Sequence, residues 1–142
     1  MEVSEVRRRL RSAIDEAKRR SAERRTRVEE ASRAWEEVLE QRAVPIFQTM
    51  AQALAGEGHR FNVLTPGRAV RLSLERSAEE FVELSLDSSR EQPAVMMIST
   101  RGRGRRMIAS ERMVCEGSAI PQLTEEAITG LLLEELVPFI ER

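Results

Sequence analysis

Side chains able to do chemistry are scarce in this 142-residue chain, and their spacing argues against a catalytic centre. His59 is the only histidine, Cys115 is the only cysteine, tyrosine is absent, and aspartate occurs only as Asp15 and Asp87. A Ser-His-Asp triad or a multi-histidine metal site would have to be assembled from almost nothing. Cys115 and His59 are the one nucleophile and base that could pair, since both fall where the sequence reads as sheet. A buried structural cysteine and a strand-end histidine are far commoner, so neither receives a catalytic role. The adjacent carboxylates at 79–80, 125–126 and 134–135 point apart on a strand and diverge on a helix, which suits solvated faces and a helix cap. Gly56-Glu57-Gly58 and Gly102-Arg103-Gly104 lack the spacing and the strand-to-helix setting of a phosphate loop. The expectation is no catalytic residue, no metal site and no cofactor, and hence no enzyme.

What the chain does concentrate is charge. Its 23 Lys+Arg and 24 Asp+Glu nearly cancel, so any electrostatic partner must be read from clusters. Residues 7–27 hold ten cations (Arg7, Arg8, Arg9, Arg11, Lys18, Arg19, Arg20, Arg24, Arg25, Arg27) against Asp15, Glu16 and Glu23. Such a segment could lie on phosphates or anionic lipid, or it could be a solvated helix face or the complement of an acidic helix. The acidic stretch that follows, with Glu29, Glu30, Glu36, Glu37 and Glu40, suits antiparallel self-pairing, basic end to acidic end. A second cluster, Arg101, Arg103, Arg105 and Arg106 around Gly102 and Gly104, could contact phosphate or an acidic partner. The same glycines are also what a tight hairpin needs for positive φ.

These charges must be carried by elements. From Val3 to Arg42 there is no Gly or Pro, and Ala, Arg and Glu dominate, which predicts a long exposed helix of about 60 Å. Apolar or small residues recur every three or four positions along it, with a thin middle at Ala17, Ser21 and Arg24. The expected interface residues are Leu10, Ile14, Val28, Trp35, Val38 and Leu39, with Trp35 the packing anchor against another helix or the rest of the chain. Pro45 should end the rod or open a new helix at its first position. Ile46, Phe47, Met50, Ala51 and Leu54 then form one face of a short helix closed by Gly56 and Gly58.

After Gly58 the period falls to two, which predicts a sheet. Phe61 and Val63; Val70, Leu72 and Leu74; 81–86; 95–99; and 107–115 read as five strands, most simply an antiparallel meander. Thr65-Pro66-Gly67-Arg68 has the order of a type II turn. Thr124 should cap a last helix whose face is Ile128, Leu131, Leu132, Leu136, Phe139 and Ile140, with Pro138 kinking or ending it. The predicted fold is α+β: a long helix over 1–44 as a coiled-coil-like stalk, then a head over 45–142 with a short helix, the meander and a C-terminal helix packed on it.

With one cysteine, no intrachain disulfide can form and a Cys-based zinc site is excluded within one chain, which fits a reducing compartment. The start Met-Glu-Val-Ser-Glu has no apolar signal region, and the longest apolar run, 131–133, is too short to cross a bilayer. A cytoplasmic protein without membrane contact is expected. The function expected is a non-enzymatic oligomerising adaptor or assembly subunit, homo-oligomeric or docked to a partner helix. The alternative is a nucleic-acid-binding protein using 7–27 and the Arg-Gly turn at 101–106.

Overall fold

The run without Gly or Pro folds as one helix, α1 (Val3–Val38), and the chain does not leave the helix at Pro45. In the computed structural model, which describes residues 1–141, α1 passes through a π-helical turn (Leu39–Ala43) into α2 (Val44–Gly56). Proline lacks the N–H of a helical bond, and its ring would collide with the carbonyl four residues back, that of Gln41. Just before it the backbone widens by one residue, so that the Val44 N–H reaches the Leu39 carbonyl. Pro45 therefore sits in the first turn of α2, as expected, but it does not end the rod. The wider turn keeps the helical path and buries Ala43 and Phe47, both 0% exposed.

The switch to period two gives five strands: β1 (Phe61–Leu64), β2 (Ala69–Leu74), β3 (Ser77–Asp87), β4 (Ala94–Arg103) and β5 (Arg106–Glu116). They form one antiparallel meander in the order β1-β2-β3-β4-β5. Register places Phe61 against Leu74, Leu72 against Val82, and Leu84 against Met97, which lines up one apolar face. The opposite face carries an Arg71–Glu83 ion pair at 2.8 Å, with the Arg71 guanidinium 4.0 Å from the centre of the Phe81 ring. The β1–β2 turn is shifted by one residue from the expected type II turn. Pro66 supplies the accepting carbonyl for Ala69 N–H, and Gly67 takes the first central position at φ 56°. A positive φ there, followed by a negative one at Arg68, is the sign pattern of the primed hairpin turn that matches strand twist.

A short 3-10 segment (Gly117–Gln122) leads to α3 (Glu125–Glu141). The Thr124 hydroxyl accepts from Ala127 N–H at 3.1 Å, the expected N-cap. Pro138 lies in the last turns and the helix runs on past it to Glu141. α3 and α2 cover the apolar face of the sheet. Phe139 meets Phe61 edge-on at 5.9 Å, and Arg112 of β5 pairs with Glu134 at 2.8 Å.

The third cover is the second half of the long helix. Ala31, Trp35, Val38, Leu39 and Ala43 belong to the same buried cluster as Leu72, Leu84, Met97, Ile128 and Leu132. The Trp35 indole is 0% exposed, and its Nε1–H donates to the Arg68 carbonyl at 2.7 Å. In the π-helical turn Arg42 donates to the Pro121 and Leu123 carbonyls, at 2.8 and 2.9 Å.

Candidate functional site

The residues singled out by type do not converge on a catalytic arrangement. His59 stands just before β1 and Cys115 lies on β5, the opposite edge of a five-stranded sheet. Four strand spacings separate those edges, roughly 19 Å. Cys115 is half-buried and its burial pushes the thiol pKa up, away from the reactive thiolate. Among the described residues no group of three or more His, Cys, Asp and Glu could hold a metal ion, and no helix is long and apolar enough to cross a membrane.

A cleft of about 690 Å³ that the sequence did not point to lies between β1, the β2–β3 turn and the end of α3. Phe61, Leu74 and Phe139 give it apolar walls, with His59, Arg60, Glu75 and Arg76 among its polar lining. Among the described residues no pairing of the kind that activates a nucleophile is present there.

The extended feature is the first part of α1. Residues 1–26 are exposed except Glu5 and Glu16, which are half-covered, and the helix over 3–26 is about 36 Å long. This arm leaves the body where the Arg24 guanidinium donates to the Ser89 carbonyl, in the loop between β3 and β4, at 3.2 Å. At about 100° per residue, its side chains fall into three sectors. Glu5, Glu16 and Glu23 share one side and are bound within the helix: Glu5 to Arg9 at 3.1 Å, Glu16 to Arg20 at 3.1 Å and to Arg19, and Glu23 to Arg19 at 2.8 Å. The Arg19 hydrogen bond is the largest influence holding the Glu16 carboxyl below the usual carboxylate range.

Across from them runs an apolar row: Val3, Val6, Leu10 and Ile14, at 74%, 46%, 56% and 44% exposure. Beside that row stand Arg7, Arg11, Lys18 and Arg25, none with an ion pair among the described residues. The apolar row runs on through half-buried Val28 into Ala31, Trp35 and Val38, where the body of the protein covers it.

The six expected interface residues are therefore divided. Trp35, Val38 and Leu39 are consumed inside the chain and are not available to a partner, because they are buried in one cluster with residues of the sheet and α3. Leu10 and Ile14 remain open, and Val28 lies at the boundary.

The Arg-Gly cluster is a structured hairpin, as the glycines suggested. Arg101 and Arg103 lie on β4, Arg106 on β5, and only Gly104 and Arg105 form the turn, with Gly104 at φ 63°. Glu80 accepts from the Gly102 N–H at 2.6 Å and helps hold this tip. The tip and the arm sit at opposite ends of β4, whose ten residues span about 33 Å, so the two basic clusters do not form one surface.

Sequence reasoning missed the Arg24 and Arg42 attachments, both side chains reaching backbone carbonyls of segments distant in sequence. The ion-paired side of the arm was visible in principle, as Glu and Arg four residues apart at 5 and 9, 16 and 20, and 19 and 23. Compared with known protein families, characterised proteins and solved structures, the chain matches none.

Proposed function

We propose that this chain is a non-enzymatic oligomerising adaptor or assembly subunit that associates through its N-terminal arm. The observation that carries the reading is the apolar row Val3, Val6, Leu10 and Ile14, left exposed on the same side of α1 that buries Ala31, Trp35 and Val38. An isolated helix of this length is marginal in water and gains its stability from packing an amphipathic face. A row of this kind is what a second helix would cover.

The test is the solution mass of the full chain beside a Leu10→Asp/Ile14→Asp variant. Both positions are exposed, so the variant leaves the body intact, which circular dichroism checks. The expected result is a concentration-dependent assembly that the variant loses. A wild-type chain that stays monomeric at every concentration, in low and high salt, would remove the reading.

Arg7, Arg11, Lys18 and Arg25, which have no ion pair among the described residues, favour one other reading, a sequence-independent contact with nucleic-acid phosphates. Binding to generic duplex DNA and RNA that falls steeply with salt, without self-association, would support it over the first.

A further inference from the structure

The arm's unpaired cations have a counterpart further along the same helix. Glu29, Glu36 and Glu40 are exposed, and none has an ion pair among the described residues. At about 100° per residue they share one sector, roughly 60° wide, with Arg7, Arg11 and Lys18. The spacings mirror each other: four then seven from Arg7 through Arg11 to Lys18, and seven then four from Glu29 through Glu36 to Glu40. Glu5, Glu16 and Glu23 are bound to Arg9, Arg19 and Arg20 on another side, so they do not neutralise this line.

Resting on the reading above, we infer that the occupant of the arm is a second copy of this chain laid antiparallel in one register. In that register Arg7, Arg11 and Lys18 face Glu40, Glu36 and Glu29 of the second copy, and the two-fold axis makes each pairing occur twice. The two exceptions in sign also match. Asp15 is the one acid close to the cationic line and Arg33 the one cation close to the acidic line, and the register sets them within about one residue of each other. Near the dyad small Ala22 permits close approach of the two helices. Arg25 lies opposite it, and each Arg25 falls within about one turn of its own copy.

Parallel in-register pairing would set every one of these charges against its like, which is unfavourable. Exposed ion pairs contribute little each, so they select direction and register, while Val3, Val6, Leu10 and Ile14, on the flank of the cationic line, are partly covered by residues 33–44 of the second copy.

Charge reversal tests this on the full chain. R11E/K18E and E29K/E36K alter only exposed positions without ion pairs, so both variants fold, which their circular dichroism verifies. Each alone should dimerise at least about tenfold more weakly than wild type, because at both reversed positions like charges then meet, and the two-fold axis repeats each meeting. Mixed in equal amounts they should form a heterodimer as tight as the wild-type dimer, since both reversed surfaces match again. Arg25→Ala should tighten the wild-type dimer, and added salt should loosen it.

A wild-type dimer indifferent to either reversal, or a mixture that stays monomeric, would overturn the antiparallel register while leaving self-association standing. Pairing of R11E/K18E with wild type that is tighter than the wild-type dimer itself would instead show a parallel dimer and overturn it too. A monomeric wild type would sink both the register and the proposed function. Nucleic-acid binding that R11E/K18E loses and E29K/E36K retains, with no dimer, would replace the second copy by a phosphate polymer.

Discussion

Trp35 marks where the long helix changes from a solvated rod into part of the core. Its indole is fully buried and its one polar atom is satisfied by the Arg68 carbonyl, so the residue is placed by packing and by direction. Trp35→Ala opens a cavity and leaves that carbonyl without its donor. The expected loss is about 3–5 kcal/mol, read from urea denaturation. A loss below about 1 kcal/mol would mean that the helix is not seated on the sheet as described. A lone tryptophan on an amphipathic helix was recognisable from sequence as an anchor. Whether it anchors to another chain or to its own was not, because three-to-four spacing reports that a face is covered and carries no information about what covers it.

At the scale of elements, sequence and structure agree wherever one local rule acts alone. The five strands follow from the period-two pattern after Gly58, and the last helix from Thr124 and the acids behind it. They differ where two rules compete. Pro45 would stop a regular α-helix, yet the burial of Ala43 and Phe47 on either side holds the chain helical, and the π turn before the proline settles the conflict. Pro66-Gly67 has the order of a type II turn, but the two-residue hairpin needs the opposite twist, so the turn moves on by one residue.

The hairpin glycines allow a graded check. Gly104 has φ 63° and open space where a Cβ would go, so Gly104→Ala should cost only the backbone strain, about 1–2 kcal/mol in thermal or chemical denaturation. Gly117 has φ 54° and an added Cβ would meet Gln92 Oε1 at 3.1 Å, so Gly117→Ala should cost at least as much. A smaller loss at 117 than at 104 would contradict the packing around the 3-10 segment.

At the scale of the whole molecule, the body closes its apolar face with α2, α3 and the second half of α1, and leaves the first half of α1 outside. That division made half of the site legible in the sequence and hid the other half. The exposed row at Leu10 and Ile14 and the cations around it could be read directly from spacing. The loss of Trp35, Val38 and Leu39 to the core depends on long-range packing by the sheet. So does the separation of the arm from the Arg101–Arg106 hairpin, which is set by the length of β4.

Association through the arm, as proposed, is read from amide hydrogen exchange over residues 3–26, followed as protein concentration rises. If the arm is covered by association, its amides exchange fast when dilute and become protected with concentration, while protection in the body stays constant. Arm protection that is the same at every concentration would contradict the account.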